Sequence, residues 1–519
     1  MLLLYNINSF LFASLAVTLT VTSLATPSAG TKVAAGYFLL DPSTGPAKLK
    51  ALANNAAKIP VNRIYLSFVA PSMLYVPGTN TLKYANIGYS NMGDYGFAAV
   101  KSAVAKLQAG GVEVFLSMGG WNYNCFPYFY MKYSIAPFPT GPNYWKITQY
   151  GGGSPSGCTA ANMWCYVCEP PSANTTLNDF VIFPEPSKTK TWITAQAQVV
   201  KGAKGAAVKW NPQFIGGSTV TDGSESLTVP GPSFWNRKSR DPYQDFVYLA
   251  KDLGLDGVDL DYEEIWHADT FRSGAYPGPF TLDQTVYKYS AISYDIINSI
   301  KRIYPSCKFS TAAGAAGAWS GNWWGGNLKG VWYFVKLWYP DIIDFISTGK
   351  NAGGINVMTY DLSNNNAYFE CPSGSTADCN LAGQTKFYMN TYASANILAR
   401  VGYEIGQPAY PDPTNDPSHQ LPLTQDGLTG ILSGVSTSTL LGGFFWEIYK
   451  SKNSAPTGAT GQPNNLDATS VAQQICVKVL GPCAARCNGV IPIIPGTADV
   501  DSGFSLGGFA GNSGSGSPN

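Results

Sequence analysis

The chain is 519 residues long, 45% hydrophobic and only 13% charged, so it can bury a large core. Its formal net charge is +1, from 33 basic and 32 acidic side chains, which gives no electrostatic reason to expect nucleic acid or an anionic membrane surface as a partner. The 13 Trp and 31 Tyr suit a neutral, polar ligand, although most aromatic side chains belong to protein cores.

The first 29 residues (1–29) predict a secretory signal peptide. Residues 10–24 are predominantly apolar, and small residues follow at Ser28 and Ala29. No later stretch reaches the roughly 18 apolar residues of a membrane span, so no membrane contact is expected in the mature form. The ten cysteines are an even number and indicate disulfides in an oxidising compartment. With a glycosylation acceptor at Asn174, these features predict a secreted, extracellular glycoprotein.

Short apolar strands alternate with helical segments through most of the chain. The strand candidates are Lys32–Phe38, Arg63–Val69, Val112–Met118, Gly257–Glu263, Lys308–Ala313, Ile355–Tyr360, Gly402–Gln407 and Gly442–Trp446. The helix candidates are Ala47–Ala57, Gly96–Ala109, Tyr243–Leu253, Thr285–Ile303, Lys386–Arg400 and Ala468–Val479. Eight strands alternating with helices predict an α/β fold, a closed (β/α)8 TIM barrel over residues 30–487. No Gly-x-Gly-x-x-Gly turn follows the first strand, which disfavours an open doubly wound sheet.

Two segments depart from this pattern. Residues 122–241 follow the third strand and contain four cysteines without clear periodicity. Such a long connection predicts a disulfide-containing insertion on the face where barrel active sites form, and a purely stabilising insertion is the alternative. Residues 488–519 end in a Gly/Ser-rich run and predict a disordered tail. Before that tail, Cys476, Cys483 and Cys487 could hold a small cap.

The fourth strand carries an unusual set of acids. With strand periodicity, Asp259, Asp261 and Glu263 lie on one face, and Val258 and Leu260 lie on the other. Three carboxylates spaced by roughly 6–7 Å cannot all ionise in a closed site, so at least one pKa should rise. The pattern therefore predicts acid–base catalysis.

Solvated and metal-binding alternatives fit this strand less well. A solvated acidic face would not alternate with apolar residues. The spacing lacks the Gly and the distal Glu of a helix–loop–helix calcium site, and the chain has no phosphate-binding Gly-rich Lys-Ser/Thr loop. We therefore expect no metal and no cofactor. A monomer is also expected.

Short motifs lie in order on successive predicted strands. They are Gly36-Tyr37-Phe38 on the first, Ser117-Met118-Gly119-Gly120 with Trp121 on the third, Asp256, Asp259, Asp261 and Glu263 on the fourth, Met358-Thr359-Tyr360-Asp361 on the sixth, and Phe445-Trp446-Glu447 on the eighth. Together they resemble the glycoside hydrolase family 18 chitinases. Two departures are the long segment after Trp121 and the absence of the family's usual subdomain before the eighth strand.

The resemblance implies substrate-assisted, retaining hydrolysis. Glu263 would protonate the leaving oxygen, and Asp261 would orient the acetamido group that attacks the anomeric carbon. Asp259 would share a proton with Asp261, so the pair titrates together. Tyr360 would donate a hydrogen bond to the acetamido carbonyl.

The resemblance also implies the sugar-binding surface. Trp446 would form its apolar floor, while Asp361 and Met358 would line it. The remaining candidates are Tyr37, Gly119, Gly120 and Trp121, with strand-end packing an equal alternative for the two glycines.

Three functions are therefore compatible with the sequence. The first is a secreted endo-acting chitinase that hydrolyses β-1,4 bonds of chitin or N-acetylglucosamine oligosaccharides. The second is an endo-N-acetylglucosaminidase acting on N-glycans, and the third is a non-catalytic carbohydrate-binding barrel. The presence of Glu263 favours an enzyme.

Overall fold

The computed structural model describes the barrel strands and most of the helices around them. The described residues are 32–41, 43–69, 73, 75, 77–82, 95–120, 242–262, 282–318, 331–360, 381–406, 428–429, 432, 440–452 and 465–494. The predicted signal peptide, the 122–241 insertion and the tail beyond residue 494 lie outside them.

Eight parallel strands close into a barrel in the order of the sequence, which confirms the predicted (β/α)8 architecture. The first strand pairs with both the second and the eighth. The strands are β1 Val33–Leu39, β2 Arg63–Val69, β3 Glu113–Gly119, β4 Gly257–Asp261, β5 Lys308–Gly314, β6 Ala352–Met358, β7 Ala399–Glu404 and β8 Leu440–Trp446.

Helices cover the outside of this barrel. They are α1 Gly45–Asn54, α2 Phe97–Ala109, α3 Pro242–Leu253, α4 Leu282–Ile303, α5 Val331–Trp338, α6 Pro340–Ser347, α7 Leu381–Ser394 and α8 Ala468–Leu480, with short 3-10 helices at Ala315–Ala318 and Ala485–Asn488. Proline in the first turn helps α1 and α6 to begin, because its missing N–H has no partner there.

Alternation along each strand divides the core into two parts. Outward side chains such as Val258 and Leu260 of β4 pack with helix residues such as Ile296 in the large core between barrel and helices. Inward side chains fill the bore, where Tyr65 and Phe115 belong to a separate apolar cluster. The two faces of β4 are therefore divided as the sequence predicted.

The structure adds two helices that were not among the candidates, α5 and α6, and it differs from the prediction at β7. The predicted helix Lys386–Arg400 ends at Ser394, and β7 begins at Ala399 rather than Gly402. Asn396 has a φ of 56°, a left-handed conformation that Asn tolerates and that stops helix propagation. Arg400 is consequently a strand residue, which changes what it can contact.

The C-terminal end of the described chain is fastened to the barrel. Cys476 of α8 forms a disulfide with Cys487, whereas Cys483 is an exposed free thiol. Residues 488–494, which the sequence assigned to the tail, pack nearby: Ile491 is buried and its N–H donates to the Thr469 hydroxyl at 3.2 Å. Among the described helices, none is long and apolar enough to cross a membrane.

Candidate active site at the carboxyl ends of the strands

The bore becomes a mixed polar and aromatic site toward the carboxyl ends of the strands. The apolar cluster inside the barrel includes Tyr37 of β1 and Phe444 of β8, and Met358, Tyr360 and Trp446 pack against it while remaining partly exposed. Active sites of (β/α)8 barrels are built at this end. Predicted site residues from the first, sixth and eighth strands are thus brought together.

Asp259 lies within this site and is fully buried. Its Oδ2 accepts hydrogen bonds from the Tyr37 hydroxyl at 3.0 Å and the Ser117 hydroxyl at 2.7 Å, and its Oδ1 accepts one from the Ser310 hydroxyl at 2.6 Å. Burial raises the pKa of Asp259, while these three hydrogen bonds and the charge of Arg400 act in the opposite direction. The net raised pKa shows that burial outweighs the donors.

Strand register explains two of these donors. Ser117 of β3 and Ser310 of β5 are the Cα partners of Asp259 on its two sides. Residues at one level of neighbouring parallel strands project to the same face. The two short hydroxyl side chains therefore reach the carboxylate directly.

The third donor comes from across the barrel. Tyr37 is 222 positions from Asp259, and its hydroxyl also accepts a hydrogen bond from the Asn356 amide nitrogen at 2.8 Å. Burial, followed by the charge of Asp259, raises the pKa of Tyr37 well above its ordinary value. Tyr37 therefore stays a neutral hydroxyl that can donate to the carboxylate.

Asp261 ends β4 and is 7% exposed. Its backbone carbonyl accepts a hydrogen bond from the Gly120 N–H at 3.0 Å. Gly119 has a φ of 118°, and a Cβ on it would overlap that same carbonyl oxygen. Gly119 and Gly120 therefore let β3 pack tightly against the residue that bears the second carboxylate. Direct contact of these glycines with a substrate stays a prediction.

Trp446 closes one side of the site. Its indole stacks on Phe68 with 5.5 Å between ring centroids and an interplanar angle of 21°, and it lies 6.0 Å from the Tyr37 ring. Phe68 also packs closely on Gly120, because the Cβ of any other residue there would come within 2.8 Å of the Phe68 ring. Phe68 thus covers one face of the indole, and Trp446 remains partly exposed.

Tyr360 lies two residues beyond the end of β6, which Met358 forms. Its ring makes an edge contact with Phe444 at 6.4 Å. Three of the predicted site residues, Glu263, Asp361 and Trp121, lie outside the described residues. Their roles stay predictions from the sequence.

Not every acid of the fourth-strand motif belongs to the site. The Oδ2 of Asp256 accepts hydrogen bonds from the Val114 N–H at 2.8 Å and from the Gln108 side chain at 3.0 Å. Asp256 precedes β4, at the opposite end of the strand from Asp261. It joins β4 to β3 and α2 and so has a structural role.

Several residues of the site were missed from the sequence. Ser310, Asn356 and Phe68 lie on strands that were predicted correctly or nearly so, and alternation along β5 and β6 could have placed the first two in the bore. Arg400 was missed because it was assigned to a helix. Ser117 was recognised within a motif but not assigned a contact.

One further buried carboxylate lies next to Trp446. Burial raises the pKa of Glu447 to about 7. Its Oε2 accepts backbone hydrogen bonds from Tyr449 at 3.1 Å and Leu39 at 3.5 Å, which partly offset the cost of burial. Among the described residues, no group of three or more His, Cys, Asp or Glu side chains could hold a metal ion.

No protein family matches the sequence, and no curated protein does. Solved structures similar to the chain include a GH18 chitinase from Pseudoalteromonas aurantia, at 12% identity and a TM-score of 0.37 over 81% of this chain and 95% of that one. A GH18 N-acetylglucosaminidase from Paenibacillus barengoltzii has 11% identity and a TM-score of 0.34, with 80% and 95% covered. The xylanase and alpha-amylase inhibitor protein from Scadoxus multiflorus has 12% identity and a TM-score of 0.30, with 86% and 97% covered.

Likenesses this distant include both enzymes and an inhibitor, so they carry no argument about activity. The barrel rests on the pairing of its own eight strands. Any function must be argued from the side chains of the site.

Proposed function

We propose that the protein is a glycoside hydrolase that cleaves β-1,4 bonds between N-acetylglucosamine units, with chitin as the polymer. The observation that carries the proposal is the position of Asp259 and Asp261. Both lie toward the carboxyl end of β4, in the bore that Trp446 borders. A sugar resting on the indole would lie within reach of acid–base groups.

The acid in this proposal is Glu263, taken from the sequence motif. Two positions beyond Asp261, it would donate a proton to the glycosidic oxygen as the bond to the anomeric carbon breaks. The carbonyl oxygen of the sugar's own 2-acetamido group would form the new bond to that carbon, giving an oxazolinium ion. Glu263, now a carboxylate, would deprotonate the water that opens this ion, with net retention.

Asp261 and Asp259 would manage the charge of this intermediate. Asp261 would accept the acetamido N–H and offset the positive charge that develops on the ring. Burial raises the pKa of Asp259, and the three hydroxyl hydrogen bonds that it accepts only partly offset this rise. A proton shared by the pair would reside on Asp261 before the reaction and move to Asp259 as positive charge develops on the sugar ring, which leaves Asp261 charged.

The remaining groups would position the sugar. Trp446 would provide the apolar floor, Tyr360 would donate to the acetamido carbonyl, and Met358 with Asp361 would line the pocket. We further propose that the enzyme is secreted, on the basis of the apolar segment at residues 10–24. We also propose that it attacks chains internally, because the segment between β7 and β8 is too short to form a large subdomain beside the cleft.

The test compares wild type with Glu263→Gln on an N-acetylglucosamine hexamer and on a high-mannose glycopeptide. We expect the hexamer to be cleaved, with a loss of roughly 10²–10⁴-fold in the variant, as for removal of a general acid. Glu264→Gln is the matched control, because it removes the same charge one residue away. Undiminished hydrolysis by Glu263→Gln would overturn the mechanism.

The two substrates separate the other functions. Cleavage of the glycopeptide alone would assign the activity to an endo-N-acetylglucosaminidase. Binding of the hexamer without hydrolysis of either substrate would assign a carbohydrate-binding barrel. Disaccharide as the main product from the start would contradict endo action.

A further inference from the structure

Arg400 is the largest fully buried side chain of the described core. Its Nε donates to the Asn356 carbonyl oxygen at 2.9 Å, and one terminal nitrogen donates to the Tyr65 hydroxyl at 3.1 Å and to the Gly353 carbonyl. No carboxylate is among its hydrogen-bond partners in the described part of the chain. A buried cation without an adjacent anion is costly, so its retention needs an explanation.

Arg63 provides the contrast, because it shares two of the same partners. Arg63 also donates to the Tyr65 hydroxyl and to the Gly353 carbonyl. However, its charge is matched by an ion pair with Glu113. The pKa of Arg400 is lowered, first by burial and then by repulsion from the Arg63 guanidinium, whereas attraction to Asp259 acts in the opposite direction. Since Arg63 already donates to the Gly353 carbonyl and the Tyr65 hydroxyl, these two partners do not by themselves explain the presence of Arg400.

The hydrogen bonds of Arg400 determine the direction of a longer chain. A guanidinium group can only donate, so Asn356 must present its oxygen to Arg400. Its amide nitrogen then faces the Tyr37 hydroxyl at 2.8 Å and donates to it. Since that hydroxyl oxygen accepts from Asn356, its one hydrogen is available for Asp259 Oδ2 at 3.0 Å.

We propose that Arg400 is a positioning residue that acts through Asn356 and Tyr37, orienting the tyrosine hydroxyl toward Asp259 and supplying the positive charge that stabilises the Asp259 carboxylate. The orientation does not depend on the proposed function. The catalytic consequence does: a stabilised Asp259 anion leaves the shared proton on Asp261, two positions before the proposed acid Glu263 in the sequence.

The surroundings of Asp259 favour this assignment. The charged and titratable groups that interact with Asp259 from the described elements are Tyr37 of β1, Arg400 of β7 and, from α4 outside the barrel, Tyr289. Asp261 lies two residues further along β4 and acts on Tyr37. Among these described residues, Arg400 is the one with a positively charged side chain. Loss of its charge should therefore raise the pKa of Asp259, because the positive charge of Arg400 acts to lower that pKa.

The first experiment needs no substrate. The protein is labelled with 13C at the aspartate carboxyl carbons, and the Asp259 resonance is assigned by its absence from Asp259→Asn. In Arg400→Met we expect its midpoint to move to higher pH by about one unit, as for loss of one nearby charge. Arg400→Lys should move it less, because the charge remains. An identical titration in wild type and Arg400→Met would overturn the proposal.

Two variants separate positioning from general support of the fold. Asn356→Leu interrupts the chain with Arg400 in place and should also move the midpoint upward, which keeps the test decisive if Arg400→Met does not fold. Tyr65→Phe removes another partner of Arg400, whose hydroxyl also donates to the Asn356 side-chain oxygen at 3.4 Å. It should move the midpoint less than Asn356→Leu, because Arg400 and the Asn356 amide both remain. A shift in Tyr65→Phe equal to that in Asn356→Leu would show a nonspecific effect and contradict the proposed path.

The second experiment measures kcat/KM against pH for hexamer hydrolysis. The acidic limb should move upward in Arg400→Met, and less so when the substitution is made in Tyr37→Phe, since the donor that Arg400 orients is then absent. Equal shifts in both backgrounds would refute action through Tyr37. If wild type does not hydrolyse the hexamer, the proposed function fails, while the carboxyl titration still decides the role of Arg400.

Discussion

The two ends of the barrel bore treat a carboxylate in opposite ways. At the amino-terminal end, Glu113 pairs with both Arg63 and Lys308. Burial works against it, but these cations and their hydrogen bonds lower the pKa of Glu113. Toward the carboxyl end, Asp259 has hydroxyl donors in place of an adjacent cation, and burial raises its pKa.

The opposite pKa shifts of Asp259 and Glu113 give the two carboxylates opposite effects on how stability depends on pH. The raised pKa of Asp259 means that its contribution to stability is present at low pH and is lost as pH rises through that pKa. For Glu113 the sign is reversed: its contribution is present at higher pH and is lost as pH falls through the lowered pKa. A charge held permanently by two cations supports folding, whereas one whose proton can move is useful in catalysis.

Asp259→Asn should produce the largest effect on activity. We expect hexamer hydrolysis to fall by roughly 10²–10³-fold, because the amide cannot take part in the proposed proton sharing with Asp261. Stability at pH 8 should change by less than about 1 kcal/mol, since the substitution removes a buried charge along with its hydrogen bonds. Urea unfolding and initial rates measured on the same preparation check both parts, and near-normal rates would contradict the role of Asp259.

Glu113→Gln should show the opposite pattern. We expect a loss of about 3 kcal/mol of unfolding free energy at pH 7, at the low end for breaking a buried pair because the carboxylate is partly exposed. Activity per folded molecule should be unchanged, since the site lies at the other end of the bore. The loss should diminish in acid as Glu113 becomes protonated in wild type, and a pH-independent loss would argue against the ion pair as its cause.

Glu447 tests whether burial without an ion pair is sufficient to raise the pKa of a carboxyl group, as it does for Asp259. With a pKa of about 7 in the folded protein and an ordinary value near 4.5, it should cost about 2.5 kcal/mol of stability between pH 5 and pH 8. Glu447→Gln should remove that slope and make the protein more stable than wild type at pH 8. Urea unfolding at both pH values measures this, and a slope that persists in Glu447→Gln would assign it to another group.

The smallest effect is expected at an exposed carboxylate far from either end of the bore. Asp467 caps α8 by accepting the Ser470 N–H at 2.7 Å, so Asp467→Ala should cost about 1 kcal/mol without changing activity. Ser470→Ala keeps the backbone donor and serves as the control. Equal losses in the two variants would show that the cap is not responsible.

Much of the barrel was predictable because its signals are local. Alternation of acids and apolar residues in β4 correctly divided Asp259 from Val258, and β2 was predicted at its observed bounds, Arg63–Val69. The end of α7 was not predictable in this way. Its helical pattern runs on toward Arg400, and the left-handed conformation of Asn396 that ends it has only a weak sequence signal.

By itself, the sequence determined the alternation of strands and helices, the inward direction of the acids on β4, and the motifs at the ends of the third, fourth, sixth and eighth strands. Only the tertiary structure decided which side chains meet. Barrel closure brings Tyr37 of β1, Asn356 of β6 and Arg400 of β7 into one hydrogen-bonded chain ending at Asp259. These contacts span up to 319 positions, and no local pattern specifies them because they depend on the register of strands that pair only when the barrel closes.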